Sequence, residues 1–350
     1  MTDTMLSETV DRLFGSLCDG PALAKAEEAG WAPEMWSATA ELGLPWIGLP
    51  ERAGGQGGTL SDASEVLRAA GAHALPLPLA ETGLLAGWLL AGAGVQVPQT
   101  PLTVVPGRAE DTLRLEHGRL YGTAHRVPWA RSAGQVVALL QTDGDLRVAA
   151  VPGDSAQVTK VVDLAGEPRD TVSFDGAVPS VLAPAAVDRE ALLYRGALAR
   201  AVLMAGALQR VCELTVRYTR EREQFGRPVA RFQAVQQLVV TVVQETAAVG
   251  LAAATAVRRT ELGGGRFEIA AAKLLANQAV HTAVRAAHQA HGAMGVTQEY
   301  PLHHATRRLR AWRCEYGDER TWSTRLGDAV TSLGADQLYP LITAGSALPV

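Results

Sequence analysis

Apolar positions along the chain change their spacing twice. Over the first 98 residues they recur every three or four positions. Val10, Leu13, Phe14 and Leu17 fall on one side of a first helix, predicted to start after a Ser7 cap. A second helix is predicted over residues 21–28, with Pro21 near its start. A third covers 33–42, with Met35, Trp36 and Leu42 as core candidates and Gly43 as its stop. Pro45 and Pro50 bound a short extended piece. The glycine-rich stretch 54–58 reads as a flexible loop, leading into a helix capped by Ser61 or Asp62. The helical pattern resumes over 84–90.

From residue 103 to about 177 the period drops to two. Leu113 and Leu115 alternate ahead of a turn at His117-Gly118 and Leu120. Segments 135–140 and 146–151 flank Thr142-Asp143-Gly144-Asp145, a hairpin signal. Val158, Val161 and Val172 continue the strand character. Several short strands without helices between them predict an antiparallel barrel or sandwich. Strand, tight glycine turn and helix never follow in the order of a dinucleotide-binding βαβ unit.

Beyond residue 187 the helical period returns. A long helix over 189–222 carries Leu198, Val202, Ala205, Leu208 and Cys212 on one apolar face. A second, over 232–260, ends at Gly263-Gly264-Gly265, and a third covers 267–291. A last element starts over 302–312 and continues over 322–330. Alanine-rich faces suit a bundle and close subunit packing. Pro340 and later residues read as a short tail. The expected organisation is a helical domain over 1–98, a β domain over 99–186, a helical bundle over 187–335 and a tail over 336–350.

Composition narrows this picture only a little. The 350 residues carry 32 Lys and Arg against 36 Asp and Glu, a net charge of −4 that favours neither nucleic acid nor an anionic membrane. Lysine occurs only at 25, 160 and 273. Cys18, Cys212 and Cys314 show no metal-ligand spacing or disulfide framework, which fits a reducing compartment. No basic segment leads into an apolar run at the N-terminus, and the apolar run 84–95 is too short to span a bilayer. A cytoplasmic location is expected. His288 and His291 share a helical face, but neither they nor His303-His304 have the acidic or cysteine partners of a metal site, so no metal is expected.

Two motifs carry candidate chemistry. The first is Arg222-Glu223-Gln224-Phe225-Gly226-Arg227-Pro228 with Phe232-Gln233. The second is Gln289-Ala290-His291-Gly292-Ala293-Met294-Gly295, continuing into Thr297-Gln298-Glu299-Tyr300-Pro301. Together, and in this order, they resemble the flavin-binding landmarks of the acyl-CoA dehydrogenases. The resemblance extends to the succession of helical region, small β domain and four-helix bundle over nearly the whole chain. It implies FAD as cofactor, bound near subunit contacts, and oxidation of an acyl-CoA thioester at its α and β carbons. It also implies an electron-transfer flavoprotein or similar acceptor. Arg222 matches an arginine that contacts FAD held largely by a neighbouring subunit, and its fork suits a diphosphate. Gln224, Phe225 and Gln233 would line the cofactor, Gln289 would lie near its adenosine portion, and Gly292 and Gly295 would admit close backbone approach. Ala293 replaces a glycine common in the family. Read as plain structure, Arg222 pairs with a nearby glutamate, Phe225 fills core, and Gln289 through Gly295 is a helix end and a turn.

The resemblance fails at the catalytic base. Removing the α proton of a thioester needs a nearby carboxylate. In a common family pattern it lies in a run of tyrosine, glutamate, glycine and threonine. Counting from Tyr300-Pro301 without gaps aligns that run with Glu315-Tyr316-Gly317-Asp318, so Tyr316 takes the glutamate position and Glu315 is one residue early. A subset of the family places the base early in the first bundle helix. That position falls near Gly196, and Glu190 and Glu213 are too distant to replace it. Glu315 is the leading candidate, followed by Asp318 and Glu319.

The β domain departs too. In the piece His125-Arg126-Val127-Pro128-Trp129, Pro128 falls near a family threonine and offers neither hydroxyl nor backbone donor. The piece 102–107 is a loose echo of the family's threonine-glutamate-proline run. Such losses suit a heteromer, with a homologous chain supplying the base while this chain helps to hold FAD. The rivals are a self-sufficient homomeric enzyme using Glu315, and a non-enzymatic scaffold that has lost the flavin.

Overall fold

The computed structural model of the chain describes residues 2–142 and 144–344. Its N-terminal third holds helices α1 (Thr2–Leu17), α2 (Gly20–Ala29), α3 (Pro33–Glu41) and α4 (Leu60–Ala72). A π-helical stretch over Ala80–Gly87 then leads into α5 (Trp88–Gly92).

Four local expectations change here. Leu42, expected in the core, is 53% exposed, because α3 ends at Glu41 and Leu42 is its C-cap, off the buried face. Helix α1 already runs from Thr2, so Ser7 is inside it. No breaker precedes Ser7, and extending a nucleated helix costs little. The piece around Pro45 and Pro50 is not extended but forms two 3₁₀ turns, Leu44–Trp46 and Glu51–Ala53. A proline's fixed φ suits a first helical turn as well as a strand. Helix α4 is capped by Thr59, not by Ser61 or Asp62. The Thr59 hydroxyl accepts from the Asp62 amide at 3.1 Å, while the Asp62 carboxylate accepts from the Thr59 amide at 2.8 Å. This reciprocal pairing is a capping box with aspartate in the acidic place.

The middle of the chain forms strands β1 (Leu102–Val104), β2 (Arg114–Glu116), β3 (Arg119–Pro128), β4 (Gln135–Thr142), β5 (Asp145–Pro152), β6 (Gln157–Thr159), β7 (Arg169–Ala177) and β8 (Val181–Pro184). They make two four-stranded sheets in the orders β1-β4-β5-β8 and β2-β3-β7-β6. His117 and Gly118, at φ of 50° and 75°, turn β2 into β3 with both central residues left-handed. Strands β4 and β5 pair from Gln135↔Pro152 to Thr142↔Asp145; Asp143, in their expected turn, lies outside the described residues. Leu120, Ala124, Val127, Val172 and Phe174 of one sheet share a core with Val136, Ala138, Leu140, Ala149 and Val151 of the other. The β region is therefore a sandwich. One pairing is not antiparallel: β1 runs parallel to β4, because the chain passes through the other sheet before it returns beside β1.

The C-terminal region begins with α6 (Arg189–Glu221). A two-residue ribbon follows, β9 (Glu223–Gln224) against β10 (Arg227–Pro228). Helices α7 (Gln233–Glu261), α8 (Arg266–His291), α9 (Leu302–Trp312), α10 (Glu319–Leu333) and α11 (Leu338–Ala344) complete it. The expected last element is two helices. Tyr316 and Gly317 turn left-handed at φ of 50° and 94°, ending the run of α9, and Asp318 caps α10 by accepting from Thr321. Residues 340–344, expected in the tail, belong to α11; 345–350 lie outside the described residues.

By contacts the chain divides into two compact units. One comprises Met1–Gly20, Ser64–Leu75 and Ala197–Val350; the other comprises Pro21–Ala63 and Pro76–Gly196. In the first unit α4 and α6 cross at backbone contact. A Cβ on Gly206 would lie 1.9 Å from the Arg68 carbonyl, and one on Gly71 would lie 2.1 Å from that of Leu203. Helices α6 and α7 are both long and apolar enough to cross a membrane. The apolar window of α6 is 83% buried in the protein, that of α7 only 17%.

Candidate functional site

The two sequence motifs meet at one end of the first unit. Helices α7 and α8 are joined by the short turn 262–265 and pack along each other, which brings the start of α7 beside the end of α8. Tyr218, near the end of α6, stacks on His291, the last residue of α8, with ring centroids 4.6 Å apart. The Tyr300 hydroxyl donates to the Leu214 carbonyl at 3.1 Å. These contacts tie the ends of α6 and α8 to the segment that follows Gly295.

Arg222 follows α6 directly. Its amide donates to the Tyr218 carbonyl and its carbonyl accepts from Val229, both at 2.8 Å. Its side chain is exposed, as are Gln224 and Gln233. Phe225 and Gly226 are both left-handed, at φ of 54° and 76°, so the ribbon turns in two residues and projects Phe225 into solvent, 91% exposed. The reading of Phe225 as core filler is thereby overturned: the tight turn leaves its ring nothing to pack on except the edge of Phe232, at 6.0 Å. The Arg227 guanidinium lies over the other aromatic, 4.2 Å from the Phe232 centroid.

At the end of α8, Gln289 and Gly292 line a cleft of about 470 Å³ with Arg285, His288, Val296 and Arg310. Gly292 is left-handed at φ 58° with open space where a side chain would be. Gly295 is buried, and a Cβ there would lie 2.9 Å from His291 Cβ. Burial lowers the pKa of both His288 and His291, which keeps the imidazoles neutral near pH 7.

Glu315 lies elsewhere. Its carboxylate accepts from Arg200 Nε at 2.6 Å, with the two side chains 14% and 3% exposed. Arg200 also lies 5.7 Å from the centroid of the Tyr316 ring. Beneath this turn sits Lys273, wholly buried on α8. Its ammonium donates to Asn277 Oδ1 at 2.6 Å and to the carbonyls of Arg313 and Gly317 at 3.1 Å each. Burial drives its pKa down to about 7, against the opposing pull of Glu315. Asp318 is committed as a helix cap and Glu319 pairs with Arg313 at 2.6 Å.

Arg200 and Arg222 are 22 residues apart on and just past α6, about 33 Å along its axis. The candidate base and the candidate cofactor residues therefore occupy opposite stretches of one bundle. The sequence held one clue to Lys273, one of only three lysines in the chain, set among apolar residues of the α8 pattern; Arg200 is one of six arginines in α6 and carried no such mark.

In the second unit the segment 125–129 ends β3. Pro128 pairs with Arg169, and its carbonyl accepts from the buried Thr103 hydroxyl. Trp129 turns left-handed at φ 55° with its side chain buried. Arg131 clamps this turn, its amide and guanidinium both donating to the fully buried Asp170. The end of β3 thus presents no free amide at residue 128. Among the described residues no three His, Cys, Asp or Glu side chains are grouped to hold a metal ion.

A family model described as acyl-CoA dehydrogenase, C-terminal domain, matches residues 186–326. The acyl-CoA dehydrogenase IpdE2 of Mycolicibacterium smegmatis is 28% identical over 305 residues, covering 85% of this chain and 89% of that protein. Among solved structures, the ChsE4-ChsE5 complex from Mycobacterium tuberculosis superposes with a TM-score of 0.85 at 23% identity, covering 95% of this chain and 98% of its own. The Tcur3481-Tcur3483 steroid ACAD G363A variant gives 0.83 at 25% identity, covering 93% and 96%.

Proposed function

We propose that this chain, which belongs to the acyl-CoA dehydrogenase family, works as a subunit that helps to hold FAD while a related chain supplies the catalytic base. One observation carries this reading. The cofactor candidates Arg222, Gln224, Phe225, Gln233, Gln289, Gly292 and Gly295 gather at one end of the bundle, while Arg200, the ion-pair partner of Glu315, lies roughly 33 Å from Arg222 along α6. Residues so far apart do not serve one reacting centre. An assembly in which each flavin site draws on two chains removes the difficulty, whether the chains are copies or relatives; the Arg200 ion pair that engages Glu315 favours a relative as the source of the base. The complex of ChsE4 with ChsE5 offers a precedent for pairing two chains of this fold.

The residues fit the nucleotide half of the cofactor better than its ring. Exposed guanidinium and amide groups beside an open glycine turn suit a diphosphate and an adenosine. The end of β3, with Pro128 in place of a donor, offers the isoalloxazine little. FAD, when bound, supplies the acceptor for the β hydride. This chain's part is to bind and orient the dinucleotide. The sparsely covered side of α7 supports an oligomer: Val240, Val243 and Leu251 are 51%, 43% and 72% exposed along it, and Phe225 projects at its start. A second family chain is the occupant we assign to that side. An acyl-CoA thioester as substrate and an electron-transfer flavoprotein or similar acceptor complete the reading.

Glu315 is held as the ion-pair partner of the buried Arg200, which ties its carboxylate to the bundle rather than leaving it free to meet a substrate proton. In an active assembly, Glu315→Gln is expected to leave turnover of an acyl-CoA within about threefold of wild type, whereas a true general base contributes about 10²–10⁴-fold. A loss of that larger size would instead support the self-sufficient enzyme. A chain that never acquires flavin, alone or with any related chain, would support the scaffold.

A further inference from the structure

We propose that the turn over residues 313–317 is a latch that opens when Lys273 takes up a proton, parting the Glu315 carboxylate from Arg200. The latch belongs to the stretch of the bundle around Arg200 and is independent of the shared-flavin reading.

Helix α9 ends at Trp312, so its last carbonyls lack donors from its own backbone. Tyr316 and Gly317 are left-handed, which turns the chain off the helical path that would supply them. Lys273 supplies them from α8. Its ammonium donates to the carbonyls of Arg313 and Gly317 at 3.1 Å and of Trp312 at 3.4 Å, and Asn277 Oδ1 aims it from 2.6 Å. One side chain thus gathers both ends of the turn. A second fastening comes from α10, where Trp322 Nε1 donates to the Tyr316 carbonyl at 3.0 Å.

Lys273 is fully buried, so water cannot stabilise its charge and its pKa falls to about 7. Arg200 on α6 opposes the ammonium, whereas Glu315 and Cys314 of the turn and Asp318 at the cap of α10 favour it. The Arg313 side chain is occupied by Glu319. Residues 269–277 of α8 and 246–257 of α7 carry no other ionisable side chain. When the turn lifts, Lys273 meets water and its pKa returns toward the free value of about 10.4. The open form therefore binds the proton more tightly than the closed form. Opening is most favoured below about pH 7 and becomes rarer as pH rises above it. The Glu315 carboxylate rides on the same turn, so each opening draws it from Arg200.

The test is amide hydrogen exchange of the full chain, read at Cys314 and Glu315, whose amides donate to the Ala311 and Trp312 carbonyls. After division by the intrinsic rate, the opening constant in wild type is expected to fall about 50-fold between pH 7 and pH 9, and to stay level in Lys273→Met. The buried amides of Val249 and Ala253 on α7 are expected to exchange through a much rarer opening. A pH-independent constant in wild type, the same fall in Lys273→Met, or one common constant for the turn and the α7 core overturns the latch. NMR of isotope-labelled lysine gives a second readout that leaves residue 273 intact. The chain has three lysines, and the Lys273 signal is expected to titrate near pH 7 and to move lower in Glu315→Gln. A Lys273 signal that titrates with the ordinary lysine pKa of about 10.4, or that Glu315→Gln leaves unmoved, also overturns the latch.

Discussion

Lys273 gives the sharpest quantitative handle on the fold. Its side chain is fully buried, and its acceptors are the Asn277 side chain and the carbonyls of the turn after α9. Burial brings its pKa down from 10.5 to about 7, partly offset by Glu315. In the unfolded chain this lysine stays protonated to about pH 10. Between these values the unfolded state binds one proton more than the folded state, so stability rises with pH. Below about pH 7 both states carry the ammonium, the slope vanishes and the whole cost of burying the charge is present. The slope is ~1.4 kcal/mol per pH unit, or about 2–3 kcal/mol between pH 7 and pH 9. Lys273→Met keeps most of the volume and removes the titration. Urea unfolding of both proteins across that range isolates the effect, because every other group cancels in the difference. The gap between wild type and Lys273→Met should shift steadily toward wild type as pH rises. Parallel stability curves for the two proteins would refute the reasoning.

Three further perturbations follow from the same geometry. Gly206→Ala places a methyl group against the Arg68 carbonyl, so despite alanine's better helix propensity it should destabilise by ~1–3 kcal/mol, seen as a lower thermal midpoint; an unchanged midpoint would show that α4 and α6 can part freely. Arg195 stacks on Trp88 at 5.2 Å and donates to the Leu84 carbonyl at 3.3 Å, and among the described residues no carboxylate pairs with it. Burial lowers its pKa to about 10, so Arg195→Met should stabilise the chain by ~1–2 kcal/mol in urea, and destabilisation would contradict this. Asp170→Asn leaves the Arg131 guanidinium facing a neutral group in a buried setting and should cost ~3–5 kcal/mol, read from the urea midpoint; a neutral result would mean the clamp at the end of β3 contributes nothing.

The long elements were legible because their patterns repeat over many turns. Helices α6, α7 and α8 were predicted within a residue or two of their ends, and the strands of the sandwich announced themselves by period two and by turn residues such as His117-Gly118. Short pieces were not legible, since one proline fits a 3₁₀ turn and a strand equally well, as at Pro45 and Pro50. The parallel pairing of β1 with β4 depends on a return path through the other sheet, which no local pattern encodes. For the candidate site, the motifs gave the residue types at the bundle end but not the arginines across from them. Arg310 comes from a different helix, and its convergence with Arg285 exists only after α8 and α9 pack. The distance between Glu315 and Arg222 was similarly hidden, because the ion pair that fixes Glu315 to Arg200 joins positions 115 residues apart.

The central claim, that the Arg222 end of the bundle holds a dinucleotide shared with another chain, is tested most directly by flavin stoichiometry. The visible absorbance of the chain purified alone should show far less than one flavin per chain. Co-purification with a related acyl-CoA dehydrogenase chain should bring a full flavin complement, which Arg222→Ala removes. A lone, monomeric chain that carries one flavin per molecule and is bleached by an acyl-CoA, with Arg222→Ala unaffected, would contradict the account.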